Sequence, residues 1–211
     1  MSILSEISTF LQQGRANNVK ELVSKALDEG ISAQQILNDG LLAGMGVIGG
    51  KFKNNEVYVP EVLIAARAMN AGMEVLKPAL VSSDNVSKGK VILGTVKGDL
   101  HDIGKNLVKI MLEGKGLDVV DLGTDVSPQA FIEAAIKENA NIIACSALLT
   151  TTMIVMKEVV KEAEARGVKG KIKIMIGGAP VTQNFCDSIG ADYYTADAAS
   201  ASDVALKICQ G

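Results

Sequence analysis

From residue 90 onward the chain switches repeatedly between short apolar runs and helical periods, and this alternation restricts the fold more than any other feature. The apolar runs fall at 91–96, 118–122, 141–145 and 171–176, with a weaker one at 192–194. Between and after them, 3.6-residue periodicity marks helices near 104–113, 128–138, 152–166, 181–189 and 199–208. Strands that alternate with helices must run parallel, with the helices covering both faces of the sheet. The expected fold class is therefore α/β: a flavodoxin/Rossmann-like, doubly wound parallel sheet of five strands in the order 2-1-3-4-5. Such sheets bind ligands beyond the carboxyl ends of their strands, at the switch point between strands 1 and 3.

Residues 1–77 carry a different pattern. Ile3, Ile7, Phe10 and Leu11 recur at helical spacing, as do Val19, Leu22, Val23, Ala26 and Leu27 before Gly30. Ser32 and Gln35 form a capping-box pair for a third helix. Pro60 suits the first residue of a fourth, running through Val62, Leu63, Ala66, Met69 and Met73 to about Lys77. Four amphipathic helices with short connections predict a small antiparallel bundle. The polar, aperiodic segment 78–90 reads as a linker, leaving 91–211 for the α/β domain. Gly44-Met-Gly-Val-Ile-Gly49 matches G-x-G-x-x-G, but a dinucleotide loop needs a strand before it. Residues 36–43 are helix-patterned, so these glycines are expected to be close-packing positions between helices.

Composition excludes several functions. The net charge is −3 with no basic stripe, and aromatics are 3% with no tryptophan, so no nucleic-acid partner is expected. Apolar runs are short and interrupted, so no membrane span is expected. The N-terminus lacks a basic, cleavable leader, and three scattered cysteines fit a reducing compartment, so a cytoplasmic location is expected. Cys145, Cys186 and Cys209 read as small apolar residues.

His101 is the only histidine in the chain. On its own it could be a solvated loop residue. Asp99, two residues earlier, can accept a proton from one ring nitrogen and leave the other free as ligand or base. A bare metal ion needs about three or four protein ligands, and one histidine with unpaired cysteines cannot supply them. A metal bound here would arrive inside a macrocycle, with His101 as an axial ligand. No Cys-x-x-Cys-His motif for covalent haem is present. The loops after strands 1 to 4 contain Gly98 to Gly104, Gly123-Thr-Asp-Val126, Ser146 to Thr152 and Gly177-Gly-Ala-Pro180. Singly they are turns and helix caps. Together, on one sheet edge, they describe a groove with small residues for close backbone approach and hydroxyls for polar contacts.

Asp99-Leu-His-Asp-Ile-Gly104, followed by Ser146-Ala-Leu148 and Gly177-Gly178, resembles the cobalamin-binding module of corrinoid-dependent methyltransferases in order and spacing. Upstream, Gly44-Met45, Val47, Gly49, Phe52 and Tyr58-Val-Pro-Glu61 resemble the helical cap domain that precedes that module. The whole chain is similar to free-standing corrinoid proteins, relatives of the cobalamin-binding fragment of methionine synthase. The resemblance implies that His101 replaces the cofactor's own base as lower cobalt ligand. It implies that Asp99 bonds His101 and that Thr152, in place of the methionine synthase serine, completes the relay. Gly98, Asp102, Ile103, Gly104, Ser146, Leu148, Thr150, Gly177 and Gly178 would line the cofactor and its displaced nucleotide tail. Tyr58, Leu63, Met69 and Met73 are candidates to touch the upper corrin face. For Leu63 and the two methionines, bundle core is an equally open reading.

The function implied is that of a methyl carrier. Co(I) accepts a methyl group from a substrate:corrinoid methyltransferase, and methyl-Co(III) delivers it to a methylcorrinoid:acceptor methyltransferase using coenzyme M or tetrahydrofolate. A reductive activation protein would rescue oxidised cobalt. On this reading the chain is a non-catalytic corrinoid subunit. One alternative is a cobalamin-binding sensor, although no basic recognition helix is visible. Another is a flavodoxin-like module for a different nucleotide.

Overall fold

The computed structural model describes residues 2–81 and 87–211 and divides into two compact units, 1–86 and 87–211.

The first unit is helical throughout. α1 (Ile3–Gln12) starts at Ser2, whose Oγ accepts the Ser5 N–H, and α2 (Ala16–Asp28) follows a turn at Gly14. The α2 helix ends where predicted, with Gly30 at φ +82° and the Ile31 N–H returning to the Ala26 carbonyl. Ser32 caps the next stretch by accepting the Gln35 N–H. That stretch begins as α3 (Ala33–Gln35), widens into a π-helix at Ile36–Leu42, and resumes as α4 (Ala43–Lys53). A Cβ at Gly40 would lie 3.1 Å from the Ile7 side chain, and one at Gly44 3.1 Å from the Ser8 backbone. These two glycines, one turn apart, therefore let the stretch lie close against α1. Of the G-x-G-x-x-G match, Gly44 has the predicted packing role, whereas a Cβ at Gly46 would meet open space. The segment is helix and not a strand-to-helix loop, so it lacks the phosphate-cradling geometry.

The α5 helix (Val59–Val81) does not stop at about Lys77 but passes through Pro78. Proline removes one helical N–H. Leu76 and Leu80, one turn apart, are both buried, and their burial offsets that loss. The remainder of the predicted linker lies partly outside the described residues, at 82–86.

The second unit is the expected βα alternation. β1 (Lys90–Thr95), β2 (Asp118–Asp121), β3 (Ile142–Ser146), β4 (Lys173–Gly177) and β5 (Tyr193–Tyr194) form one parallel sheet in the order β2-β1-β3-β4-β5. The helices are α6 (Ile103–Glu113), α7 (Pro128–Lys137), α8 (Met153–Ala165), α9 (Gln183–Ile189) and α10 (Ala198–Gln210). Alternate strand residues sort to opposite faces, as the pleat demands. Ile92, Ile143 and Ile174 pack with α7, α8 and α9, while Val91, Leu93, Ala144 and Met175 pack with α6 and α10. Because both faces are covered, the central strands are apolar along their length instead of alternating. Among the described residues no helix is long and apolar enough to cross a membrane.

Candidate functional site

β1 ends at Thr95, and the chain turns over the top of the sheet before α6 begins. The turn is closed by the Asp99 N–H donating to the Val96 carbonyl, with Gly98 at φ +83°, a conformation glycine adopts without strain. Thr95 is fully buried, and its hydroxyl donates to the His101 carbonyl at 2.8 Å. The loop is therefore held at both ends before any side chain of the site is placed.

Asp99 is completely buried. Five donors surround its carboxylate. Oδ1 accepts the His101 backbone N–H at 3.1 Å and the His101 ring Nδ1 at 2.7 Å. Oδ2 accepts the Leu148 and Leu149 N–H groups at 2.8 and 3.2 Å and the Thr152 hydroxyl at 2.8 Å. Burial alone pushes this carboxyl up. The Leu148 N–H, the His101 ring and backbone, and the Thr152 hydroxyl outweigh it and hold the group well below the usual carboxylate range. An ionised carboxylate only accepts hydrogen bonds, so Nδ1 carries the hydrogen. Nε2, at the other end of the ring, has no partner among the described residues, and the His101 side chain is about half exposed (52%). Asp99 thus fixes the ring's orientation and leaves one nitrogen presented outward as a ligand.

Sequence reasoning brought Asp99, His101 and Thr152 together, and the structure does the same. It adds the two backbone donors of the loop after β3, which no side-chain pattern reveals. Thr152 is itself buried, and its Oγ lies 2.9 Å from the Leu149 carbonyl as well as 2.8 Å from Asp99.

Beside His101 a cavity of about 530 Å³ opens at the carboxyl ends of β1, β3 and β4 and runs down between the sheet, α6 and α10. Of the predicted residues, His101, Asp102, Ile103, Gly104, Ser146, Leu148, Gly177 and Gly178 line it. Its deeper wall is Leu93, Ala144, Met175 and Ala201, all buried and apolar. Gly178 sits at φ +136°, and a Cβ there would land on the Ala147 carbonyl oxygen. Gly104 is different, since a Cβ there would meet nothing, so nothing in the protein fold requires glycine at that position. Leu100 and Ile103 (73% and 78% exposed), with Leu148, form an apolar rim at the mouth.

Some predicted residues lie elsewhere. Gly98 and Thr150 are exposed and outside the cavity wall. The loop 123–126 does not line the groove, contrary to the reading of the four loops. It is tied to the end of β1 by the Thr95 N–H to the Gly123 carbonyl and the Val126 N–H to the Thr95 carbonyl. Tyr58, Met69 and Met73 belong to the helical unit, where Tyr58 and Leu63 are exposed, Met73 is half-buried and Met69 is buried in the core.

One group escaped sequence reasoning. Lys105, in the first turn of α6, is buried in the cavity wall, and its Nζ donates to both Asp121 oxygens and to Asn106 Oδ1 at 2.7 Å. Burial pushes the Asp121 carboxyl up, but Lys105 and the Gly123 N–H prevail and keep it low. The available signal was the spacing of Lys105 with Val108 and Leu112, which puts a lysine on the apolar face of α6. Cys145 and Cys186 are buried free thiols pushed up by burial, which makes them unreactive.

Among the described residues no cluster of three or more His, Cys, Asp or Glu could hold a bare metal ion. The site does fit a metal that brings its own equatorial ligands. One free imidazole nitrogen stands beside a deep cavity walled by small and apolar residues, of a size for a bulky appended group.

Comparison with known proteins gives the same reading. Residues 89–205 match a family described as B12 binding domain, and residues 3–77 match a second family of that description. A corrinoid protein of Desulfitobacterium hafniense is 39% identical over 211 residues, 99% of this chain and 98% of that protein. A trimethylamine corrinoid protein of Methanosarcina mazei is 43% identical over 190 residues, 89% of this chain and 87% of its own length. Among solved structures, a chain of the methanol:cobalamin methyltransferase complex of Methanosarcina barkeri matches with TM-score 0.91 at 32% identity, covering 99% of this chain and 80% of that one.

Proposed function

We propose, because this chain belongs to the corrinoid proteins of methyltransferase systems and carries their two B12 binding domains, that it shuttles a methyl group between two partner methyltransferases. Its cofactor is cobalamin or a related corrinoid. The cobalt of that cofactor, when bound, supplies both the nucleophile that takes the methyl group and the leaving group that releases it.

The chain's own residues supply binding and orientation. His101 presents Nε2 as the lower cobalt ligand. Asp99 holds the ring in place and keeps the hydrogen on Nδ1, and Thr152 with the Leu148 and Leu149 N–H groups holds Asp99. The cavity beside His101 takes the cofactor's nucleotide tail, with Gly104, Ser146, Leu148, Gly177 and Gly178 along its wall. Asp102 and Ile103 border its mouth, and Gly98 and Thr150 flank the site. The helical unit serves as a cap, with Tyr58, Leu63 and Met73 as its candidate contacts while Met69 stays in the core, and the segment between α5 and β1 acts as the hinge. The single observation that carries the reading is a fully buried, five-donor carboxylate that orients an otherwise free imidazole at the mouth of this cavity.

One partner is a substrate:corrinoid methyltransferase and the other a methylcorrinoid:acceptor methyltransferase that uses coenzyme M or tetrahydrofolate. A reductive activator restores oxidised cofactor, and the exchange takes place in the cytoplasm. Relatives named for trimethylamine and dimethylamine, and the complex named for methanol, support a small methylated amine or alcohol as donor. The test mixes reduced, cobalamin-loaded protein with candidate donor methyltransferases and their substrates and follows the cofactor's absorbance. Methylated cofactor should form with one pairing and disappear on adding the acceptor enzyme. Retention of cofactor without methylation by any pairing would favour the sensor reading.

A further inference from the structure

We infer that Asp125 is a positioning residue for His101, acting through the loop 123–126 that sequence reasoning had placed in the ligand groove. The inference rests on the assignment of His101 as the lower ligand. Asp125 holds the left-handed conformation, φ +57°, which is uncommon for a residue with a side chain and tolerated best by Asn and Asp. In that conformation it reaches the β1–α6 turn from both its backbone and its side chain. Its N–H donates to the Asp99 carbonyl at 3.1 Å, and its Oδ1 accepts the Gly98 N–H at 2.7 Å. These two bonds bracket the peptide units on either side of the Gly98–Asp99 link, two residues before His101.

Asp99's carboxylate is fixed by its five donors, but its main chain is not fixed by them. The turn contains a glycine at φ +83° and two exposed residues, Lys97 and Gly98, so few side-chain contacts restrain it. Asp125 adds to the Asp99 N–H bond on the Val96 carbonyl and the Thr95 hydroxyl on the His101 carbonyl, and restrains the turn at its Gly98–Asp99 link. An exposed hydrogen bond contributes little to overall stability, because water replaces it. Its effect is on where the imidazole points, so an Asp125 variant should change ligation more than folding.

The test compares Asp125→Ala, Asp125→Gly and Asp125→Asn in the full-length chain. Each is loaded with cobalamin and reduced to the Co(II) state. The fraction of cofactor ligated by His101 is read from the part of the axial nitrogen splitting that changes on 15N-histidine labelling in its electron paramagnetic resonance spectrum, and affinity is read by equilibrium dialysis of cobalamin. Asn keeps both the acceptor and the tolerance for φ > 0, and should match wild type within about 2-fold. Gly keeps the conformation and loses the acceptor, and Ala loses both. Each should bind cobalamin about 3- to 10-fold more weakly, the equivalent of one ordinary hydrogen bond, with a reduced histidine-ligated fraction and near-wild-type thermal unfolding. Gly and Ala variants with wild-type ligation and affinity overturn the inference, as does an Asn variant as weak as Ala. A wild type whose splitting does not follow the histidine isotope overturns the His101 assignment itself, and the brace with it.

Discussion

Replacing Thr152 with valine isolates one bond of the Asp99 network. Valine keeps the side chain's shape at a position only 7% exposed and removes the hydroxyl. Asp99 Oδ2 then loses a 2.8 Å donor and keeps the Leu148 and Leu149 N–H groups, while Oδ1 keeps both bonds from His101. A hydrogen bond to a charged group contributes about 1.5–3 kcal/mol. At roughly 2–4 °C per kcal/mol for a chain of this size, the melting temperature of the cofactor-free protein at pH 7 should fall by roughly 3–12 °C, followed by circular dichroism. The pH dependence has a definite sign. Asp99 titrates lower in the folded chain than unfolded, so the unfolded state takes up its proton first as pH falls. The stabilisation from ionised Asp99 is therefore present above the unfolded value of about 3.9 and is lost as pH falls below it. The unfolded-state titration is common to both proteins, so the gap between Thr152→Val and wild type should hold from pH 7 down through the unfolded value and narrow only at lower pH, where Asp99 takes up its proton in the folded variant. Thr152→Ser should restore most of the loss. Equal melting temperatures at pH 7, or a Thr152→Ser variant as unstable as Thr152→Val, would refute the claim that the hydroxyl stabilises a buried carboxylate.

The glycines of the site divide into two kinds. Gly178→Ala places a methyl on the Ala147 carbonyl oxygen at a φ disfavoured for alanine, so urea unfolding of the cofactor-free protein should show a loss of about 2–4 kcal/mol. Gly104→Ala meets open space in the first turn of α6, so stability should be unchanged or raised by up to about 1 kcal/mol, while cobalamin uptake measured by dialysis falls at least about 10-fold if the cofactor approaches the backbone there. Ala201→Leu projects from α10 into the cavity and should block cofactor loading, scored by bound absorbance, while shifting stability by less than about 1.5 kcal/mol.

The sheet order was legible because a βα alternation leaves few topologies once crossovers must be right-handed, and the element ends fell within a few residues of the observed ones. Asp99 and His101 were legible because their contact is local, two residues apart. Thr152 came from resemblance, since its partner is 53 residues away. The Leu148 and Leu149 donors were not legible at all, because every residue but proline carries an N–H and only the fold aims it. Lys105 drew no reading from the sequence because its partner Asp121 is on another element. The loop 123–126 misled because its glycine and aspartate look like ligand-loop residues, whereas they are hydrogen-bonded to a neighbouring loop. The π-helix at Ile36–Leu42 gave no signal, since its apolar spacing reads as ordinary helix. The end of α5 reads too early, at about Lys77, because 78–90 is polar and aperiodic, whereas the buried Leu76 and Leu80 carry the helix on to Val81.

Because His101 is the only histidine, isotope labelling of that one amino-acid type reports on a single ring. The protein is prepared with 14N- and 15N-histidine, loaded with cobalamin, and reduced to Co(II) for electron paramagnetic resonance. The axial nitrogen splitting should change from three lines to two on isotope substitution, and should be lost in His101→Ala. A splitting that ignores the histidine isotope would mean that the cofactor keeps its own base on the metal, and that His101 is not its lower ligand.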